Sequence, residues 1–584
     1  MVRKKDYDGW SKEELIKELR RIKDTKYGLV WHRDLSEEKI DTLINPDASA
    51  PNEIFPNDVV GKPFPILKED KNREINNDKD SPVNLLIEGD NYHSLAVLNF
   101  THHSAVDFIY IDPPYNTGAR DWKYNNDYID ITDPFRHSKW LSLMYKRLKL
   151  AKNLLKDDGV ICVTIDDNEM PRLWLLMEEI FQEYNHLGTV AIRINPGGRK
   201  SKRKVALQHE YALFFAKNSD TKVAPFYINP SDKSHTYQQD AEGKWYEERN
   251  LRKEGQDSLA TKRDGSMSER YYPIYYDPDS NKISVTEKLK KTILPIDTRG
   301  QKRIWRAAKD SVEDKAAKGI IYVKHTRNGD QVYFRHSGGL NGETPKSFWA
   351  DTKYSASEHG TGTLDKIMGT SGSFDFPKSP YAVIDCIKVG TNKKDAVILD
   401  FFAGSGTTGH AVMMMNKEDG GSRQFIMCTN NENNIATDIC YPRLKKAIKG
   451  YKGAKGENVD GLGGNLRYYV CDFVESEPTD KNKRKIVSES TDMLCIREKA
   501  FELVEDAGDF KIFRNSDKYL GIIFYEEAID DFKDAIKKIE GHFNTYVFSL
   551  GDDPHEGQFT DLKDRVTLCA IPEVILKVYR EIFK

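Results

Sequence analysis

A short motif, Asp112-Pro113-Pro114-Tyr115, combines residue types that could hold a planar amino group. It follows the apolar run VDFIYI, which is typical of a buried strand. The two prolines fix the backbone angle φ and remove amide donors, so neighbouring carbonyl groups stay free to accept hydrogen bonds from a ligand. Asp112 adds a carboxylate acceptor, and Tyr115 adds a flat ring for stacking. The motif indicates a site for an exocyclic amino group on a planar base, and a strand-ending turn capped by Asp112 is the alternative.

A second motif is the glycine-rich run DFFAGSGTTG at residues 400–409, which follows the apolar segment VIL. Its glycines have the spacing G-x-G-x-x-G, and glycine permits the close backbone approach that a nucleotide-like ligand needs. The spacing alone would fit a dinucleotide equally well, and Glu432 after the next strand would hold a ribose in either case. The run lacks the Gly-Lys-Ser/Thr of a phosphate-binding loop, so we do not expect ATP hydrolysis.

The elements that would carry these motifs alternate between strands and helices. The apolar patterns predict strands at 84–90, 106–112 and 397–402, and helices at 11–23, 91–100, 134–156 and 407–416. This alternation predicts a mostly parallel, doubly wound sheet with helices on both faces, which is a Rossmann-like α/β fold. Ligands of such sheets bind at the carboxyl ends of the strands, and Asp112 follows such an end.

Composition excludes several classes of protein. The chain has 584 residues, of which 38% are hydrophobic, 31% charged and 11% aromatic, and this is typical of a globular protein of several domains. It has neither an apolar run long enough to span a membrane nor a signal-like N-terminus, so we expect a cytoplasmic protein with no membrane part. Its seven scattered cysteines favour free thiols over disulfides or zinc. The acidic run at 166–169 is interpreted as a helix cap, and no metal is expected.

The α/β alternation stops near residue 190 and returns near 397. The intervening sequence is basic, aromatic and rich in hairpin signals, one of them at Asn328-Gly329. Although the net charge of the whole chain is −3, residues 193–204 carry six basic and no acidic side chains. We interpret this region as a separate inserted domain.

The two motifs together resemble the amino-group DNA methyltransferases that use S-adenosylmethionine, because D-P-P-Y has no role in hydride transfer. The order of D-P-P-Y, basic insert and F-x-G-x-G resembles their β class, whose motifs are circularly permuted. Stretches such as LLIEGDNYHSL, FIYIDPPYNTG and ILDFFAGSGTTGHAV look like the Mod subunit of type III restriction-modification systems. The resemblance covers nearly the whole chain and is weakest in the insert. It implies an N-terminal helix and connector (1–75), a first catalytic part (76–188), a target-recognition insert (189–370), a second catalytic part (371–475) and a small C-terminal α/β domain for dimer or partner contacts (476–584).

The resemblance also implies roles for individual residues. Asp112 and the Pro113 carbonyl would hold the target adenine N6, and Tyr115 would stack on the flipped base. Lys378 would lie in a segment that flanks the cofactor. The residues implied to bind S-adenosylmethionine are Asp90, Asp400, Phe401, Phe402, Gly404, Gly406, Thr407 and Glu432. The residues expected to contact DNA phosphates are Arg193, Arg199, Lys200, Lys202, Arg203 and Lys204, and the Asn328-Gly329 hairpin, with Lys324, Arg327 and Arg335, is a further candidate for a groove contact.

These observations favour methylation of adenine N6 at a specific site in double-stranded DNA. N4-cytosine methylation would use the same acceptor geometry, and a stand-alone methyltransferase or a recognition subunit for a partner nuclease would have the same motifs. The type III resemblance implies a homodimer and a separate ATP-dependent restriction (Res) subunit. No cysteine follows a proline in the pattern that attack at cytosine C5 needs, so C5 methylation is disfavoured.

Overall fold

The computed structural model describes most of the chain between Phe64 and Ile571. The described residues are 11–16, 31, 45, 47–48, 64–78, 81–124, 127–198, 205–226, 237–240, 242–337, 342–453, 456–475, 479–515, 518–549 and 555–571. They form two compact units: one is Pro225–Pro345, and the other is drawn from the residues before and after it.

The first half of the larger unit alternates strands and helices. The predicted amphipathic helix is present as Arg136–Leu154 and buries Trp140, Leu141, Met144, Leu148 and Ala151, whereas Leu155 already begins the next strand. The elements are β1 Phe64–Glu69, β2 Val83–Glu88, α1 Asn91–Thr101, β3 Val106–Ile111, β4 Ala119–Tyr124, β5 Asp127–Asp130, α2 Arg136–Leu154, β6 Leu155–Ile165, α3 Met170–Phe181, β7 His186–Arg193 and β8 His209–Ala216.

The smaller unit, Pro225–Pro345, is mainly antiparallel and has a core of its own. Its strands form a four-stranded sheet, β14-β15-β10-β9, and a three-stranded sheet, β12-β11-β13, which contribute to a core around Trp305. The elements are β9 Tyr237–Gln239, β10 Trp245–Asn250, β11 Ile274–Asp277, β12 Lys282–Ser284, β13 Lys291–Ile293, α4 Val312–Ala317, β14 Ile321–Thr326 and β15 Gly329–His336.

The larger unit resumes after the insert and ends in a second sheet. That sheet has the order β22-β23-β24-β25-β26, and α9 packs against β1 of the main sheet. The elements are β16 Phe348–Trp349, α5 Gly362–Met368, α6 Pro380–Gly390, β17 Val397–Asp400, α7 Thr407–Asp419, β18 Gln424–Thr429, α8 Tyr441–Lys449, β19 Gly450–Lys452, β20 Asn458–Asp460, β21 Asn465–Val474, α9 Asp480–Glu498, β22 Glu502–Asp506, β23 Phe510–Arg514, β24 Tyr519–Ile523, α10 Ile529–Ile536, β25 Phe543–Val547 and β26 Val566–Leu568.

The main sheet has ten strands in the order β1-β21-β2-β18-β17-β3-β6-β8-β7-β16. The six strands from β21 to β6 are parallel to one another, which confirms the predicted mostly parallel α/β sheet. Strand β3 pairs directly with β17, although nearly 300 residues separate them in the chain. This pairing brings the two motifs side by side despite the distance between them in sequence.

The boundaries of the insert differ from those expected. We predicted an insert at 189–370, but β8 extends the main sheet antiparallel to β6 and β7 pairs antiparallel with β8, and the separate compact unit is Pro225–Pro345. The difference arises because an apolar antiparallel strand such as HEYALFFA has the same local pattern whichever sheet it joins. Of the predicted helix at 11–23, only residues 11–16 are described, and there the Ser11 amide donates to Glu14 Oε2 (2.7 Å) and the Glu14 amide to Ser11 Oγ (3.2 Å), a capping box.

Candidate functional site

Four of the predicted carboxylates lie at the carboxyl ends of four adjacent parallel strands. Asp90 follows β2, Glu432 lies in the turn after β18, Asp400 ends β17 and Asp112 follows β3. Because these strands are neighbours in the order β2-β18-β17-β3, the side chains share one edge of the sheet. This edge is where ligands of open α/β sheets bind.

Asp112 is held by three donors that all reach the same carboxylate oxygen. Its Oδ1 accepts from the Tyr115 hydroxyl (2.8 Å) and from Thr164 Oγ1 (2.7 Å), and it lies 3.1 Å from Lys378 Nζ. Thr164 belongs to β6, the strand beside β3. Since no hydrogen bond or ion pair to Oδ2 occurs among the described residues, that oxygen is available to accept a hydrogen bond from a ligand.

Two residues that the sequence analysis did not join to this site complete it. Lys378 Nζ donates to Glu210 Oε2 (2.7 Å) and to the Tyr115 hydroxyl (2.7 Å), and that hydroxyl also lies 2.9 Å from Glu210 Oε2. The side chain of Glu210 is only 1% exposed and that of Lys378 12%. A carboxylate in the otherwise apolar strand HEYALFFA is the signal that could have drawn attention to Glu210.

The charges in this cluster fix its protonation. Burial lowers the pKa of Lys378, but Asp112 and Glu210 raise it more, so the net shift is upward and the ammonium persists. Burial together with the same two carboxylates raises the pKa of Tyr115 well above its ordinary value, which keeps its hydroxyl protonated. One ammonium group therefore lies among two carboxylates and a phenol.

The two prolines present different carbonyl groups. The indole Nε1 of Trp140 donates to the Pro114 carbonyl (2.7 Å), whereas the Pro113 carbonyl accepts no hydrogen bond from any described residue. Lys378 Nζ lies 4.6 Å from the centre of the Tyr115 ring, and the hydrogen bonds of the hydroxyl hold the end of the side chain in place. The site thus presents two acceptors, Asp112 Oδ2 and the Pro113 carbonyl, beside an oriented aromatic ring.

A buried carboxylate anchors the turn that follows Tyr115. Glu169 is fully buried and accepts from the Asn116 side-chain amide; it also lies within hydrogen-bond distance of His137 Nδ1 and forms an ion pair with Arg172 (3.4 Å). Asn116 has a left-handed backbone (φ 55°). In the acidic run at 166–169, the Glu169 side chain does not cap the helix as expected, because it is committed to this turn.

The glycine loop has the backbone that its sequence predicts. Gly404 and Gly406 have positive φ (49° and 81°), and a Cβ atom at Gly409 would lie 2.8 Å from Leu444 Cδ2. Asp400 accepts from the Phe402 amide (2.9 Å) and from Thr408 Oγ1 (2.5 Å), and burial raises its pKa to about 7. Thr407 begins α7, so the loop leads into the amino end of a helix.

Asp90 and its neighbour tie the first half of the sheet to this loop. Asp90 Oδ1 accepts from the Tyr92 amide (2.7 Å), and Arg147 pairs with its carboxylate (3.2 Å). Burial raises the pKa of Asp90, but Arg147, His93 and the hydrogen bonds from the Tyr92 and His93 amides together lower it more, so the net shift is downward. Asn91 Nδ2 donates to the carbonyl of Phe401 (2.8 Å). The Phe401 side chain is buried in the core and that of Phe402 is partly exposed, which leaves the latter to contact a ligand.

The predicted phosphate contacts are mostly outside the described residues: Arg199, Lys200, Lys202, Arg203 and Lys204 lie in the undescribed segment 199–204. Arg193 ends β7, and its guanidinium donates to the Ala350 carbonyl, so part of its donor capacity is used within the protein.

The cationic side chains of the β14–β15 hairpin differ in whether they have an acidic partner. Lys324 pairs with Glu248 (2.8 Å), and Arg335 lies 3.7 Å from Asp240. Arg327 at the exposed tip has no ionic or hydrogen-bond partner among the described residues.

The described residues contain no group of three or more His, Cys, Asp or Glu side chains arranged to hold a metal ion. Their helices include none that is both long and apolar enough to cross a membrane. All seven cysteines are free thiols, five of them buried.

Comparison with known proteins adds to this geometry. The sequence profile of a family described as DNA methylase matches residues 106–439. The type II methyltransferase M.KpnI of Klebsiella pneumoniae is 35% identical over 62% of this chain and 84% of its own length. The EcoPI Mod subunit, a type III restriction-modification enzyme of Escherichia phage P1, is 32% identical over 72% of this chain and 71% of its own. The solved PvuII DNA methyltransferase (cytosine-N4-specific) aligns with 63% of this chain and 90% of its own at 13% identity, but its TM-score of 0.30 is too low to bear on function.

Proposed function

The chain belongs to the DNA methylase family, and on this premise we propose that it transfers a methyl group from S-adenosylmethionine to N6 of a flipped-out adenine at a specific site in double-stranded DNA. The observation that carries the proposal is the pair of acceptors, Asp112 Oδ2 and the Pro113 carbonyl, beside Tyr115 and one strand away from the glycine loop.

The residues after β3 would act on the base. Asp112 and the Pro113 carbonyl would accept the two hydrogens of N6, which favours a more nucleophilic nitrogen, and Tyr115 would stack on the ring. Because N6 cannot be reached inside a stacked duplex, the base must leave the helix, at a cost of a few kcal/mol. Orientation and preorganised electrostatics supply the rate, and no covalent intermediate is needed.

The glycine loop fits the cofactor. Its left-handed glycines bring the backbone close to a ligand, and the four aligned strand ends supply acceptors for ribose and amino groups. The cofactor supplies an activated methyl group on a sulfonium sulfur. The residues that would hold it are Asp90, Asp400, Phe402, Gly404, Gly406, Thr407 and Glu432, with Phe401 contributing from the core behind them.

Recognition of DNA would reside in the insert. The separate core of Pro225–Pro345 supports a distinct recognition domain within the predicted 189–370, and the cations of 193–204 would contact phosphates, which position the protein but do not specify sequence. Acting on DNA, the protein would work in the cytoplasm.

The relatives support a biological setting for this activity. The likeness to the EcoPI Mod subunit supports a modification subunit. We propose with it a homodimer that recognises DNA for a separate Res subunit, as the type III resemblance implies. A stand-alone methyltransferase is the second candidate, because M.KpnI, a type II enzyme, has the higher identity and is matched over more of its length. Sedimentation of the chain alone tests the dimer. Incubation with DNA and ATP tests the need for a partner, since we expect no cleavage without one.

The experiment that tests the reaction is nucleoside mass spectrometry. Mixed-sequence DNA is incubated with S-adenosylmethionine and either the wild-type protein, Asp112→Ala or Asp157→Ala, a control whose side chain is 86% exposed near the amino end of β6. We expect N6-methyladenine from the wild type and the control, and none from Asp112→Ala. Formation of N4-methylcytosine instead would show that the target base is cytosine. DNA binding without any methylated base would contradict the proposal.

A further inference from the structure

A buried arginine lies directly behind the glycine loop. Arg443 of α8 is 0% exposed, and its Nη1 donates to Thr407 Oγ1 (2.8 Å), to Ser405 Oγ (3.1 Å) and to the Ser405 carbonyl (3.4 Å). Its Nη2 lies 3.4 Å from His410 Nδ1, and its Nε has no hydrogen-bond partner among the residues that the structure describes. The guanidinium is therefore committed to the loop and to the first turn of α7.

This arginine differs from the other buried arginines in having no carboxylate partner. Arg147 pairs with Asp90 and Arg423 with Asp419, whereas no acidic side chain forms an ion pair with Arg443 in the part of the chain that is described. Neutral groups alone do not neutralise a cation, and burying a charge without a counter-charge is unfavourable. Such a charge is retained where something else compensates it.

The charge on Arg443 persists in this environment. Burial lowers its pKa only to about 10, so the guanidinium is protonated at neutral pH. Burial also lowers the pKa of His410 to about 3, with Arg443 adding to the effect, so the imidazole is neutral. A full positive charge therefore lies under the loop, and the groups around it do not neutralise it.

The contacts of Arg443 also set what the loop offers to a ligand. Nη1 donates to the hydroxyl oxygens of both Ser405 and Thr407, which lie 3.4 Å from each other, so at least one of the two hydroxyl hydrogens remains to be donated to a ligand. Gly406 is left-handed (φ 81°), and Thr407 opens α7, whose first amides have no partner within the helix. Hydroxyl donors, helix amides and a buried cation converge on one loop, and this combination favours an anion.

We propose that Arg443 is the positioning residue and charge source that makes this loop bind the α-carboxylate of S-adenosylmethionine. The inference rests on the proposed function, because that cofactor carries its carboxylate at the end opposite to the adenine. Arg443 acts through Ser405 and Thr407, and the carboxylate supplies the negative charge that the protein does not. A guanidinium that only braced the loop would instead support every ligand of the site equally.

The test compares S-adenosylmethionine with decarboxylated S-adenosylmethionine, which keeps the sulfonium, the ammonium and the nucleoside but lacks the carboxylate. Binding to the full-length protein is measured by titration calorimetry without DNA, for the wild type, Arg443→Met and Arg443→Lys. The control is Arg423→Met, because Arg423 is equally buried near the far end of α7 but is paired with Asp419.

We expect Arg443→Met to weaken the binding of S-adenosylmethionine about 10- to 100-fold, as for loss of a charged hydrogen-bond partner. The affinity for the decarboxylated compound should be unchanged. Arg443→Lys should recover part of the loss, and Arg423→Met should keep the wild-type preference. If Arg443→Met lowered the affinity for both compounds equally, or lowered neither affinity, the inference would be overturned while the proposed function stands. A wild-type protein that bound neither ligand would contradict the proposed function and the inference with it.

Discussion

At the residue scale, the function of the site depends on one ammonium group among two carboxylates and a phenol. Replacing Lys378 with methionine would remove the cation that Glu210 and Asp112 share. Because burial already raises the pKa of Glu210, that side chain would favour its protonated form, and the Tyr115 hydroxyl would lose the ammonium that holds it. A displacement of about 1 Å at a reacting centre can cost roughly 100-fold in rate. We therefore expect Lys378→Met to lower kcat about 100-fold with little change in KM for S-adenosylmethionine, measured by methyl transfer to DNA.

The matched control for this variant is Lys393→Met. Lys393 also bridges two carboxylates, Asp107 and Asp158, but it does so at the amino ends of β3 and β6, away from the site. Its loss should lower thermal stability and leave kcat within about twofold, as for a change that does not touch the reacting groups. Equal kcat values for the two variants would show that Lys378 has a structural role only.

Individual residues of the site differ in how far the sequence could predict them. Asp112 and Asp400 were predictable because the residues that define each motif are contiguous, and a strand, a turn and a small loop place them without help from elsewhere. Glu210 and Lys378 were not joined to the site, since 168 residues separate them and they meet only through the folded sheet. Arg443 was missed because it meets Ser405 and Thr407 only in the folded structure. The lack of a carboxylate partner among the described residues, which sets it apart from other buried arginines, is likewise not visible in the sequence.

At the element scale, helices and parallel strands were predictable because apolar periodicity differs between them. The strands before both motifs and the helix Arg136–Leu154 lie within two residues of their predicted bounds. The assignment of β7 and β8 to a sheet was not predictable, because both pair antiparallel through contacts that no local pattern encodes. The insert therefore begins later in the structure than the sequence pattern indicated.

The β14–β15 hairpin of the insert gives a prediction about DNA binding. Arg327 at its tip is exposed and without an ionic partner among the described residues, whereas Lys324 on the same hairpin is paired with Glu248. If the tip contacts a phosphate, Arg327→Ala should weaken DNA binding and reduce the slope of log K against log salt by about 0.9. Fluorescence anisotropy over a salt series measures both quantities. Lys324→Ala is the control and should change the slope less, and an unchanged slope for Arg327→Ala would exclude the tip from the interface.

At the scale of the whole molecule, the described residues form two compact units, and we propose that chemistry belongs to the larger unit and recognition to the smaller one. All predicted catalytic and cofactor residues lie outside Pro225–Pro345, and that unit has its own core. Its first and last segments meet, because the Phe226 amide donates to the Glu343 carbonyl (2.8 Å) and the Glu343 amide to the Phe226 carbonyl (2.7 Å). An insert whose ends are adjacent can be removed without stretching the chain that remains.

This division predicts the behaviour of a chain in which a short glycine-rich linker replaces residues 225–345. The ten-stranded sheet and the glycine loop should remain, so the variant should bind S-adenosylmethionine with an affinity close to that of the wild type in calorimetry. Its preference for the target site, typically about 1,000-fold or more over other DNA, should disappear, because the groups that read bases would be gone. Full-length Asp112→Ala is the complementary control, since it should keep the preference and lose methyl transfer. Site-specific methylation by the shortened chain would show that the larger unit carries the recognition groups. Loss of cofactor binding would show that the sheet needs the insert to fold.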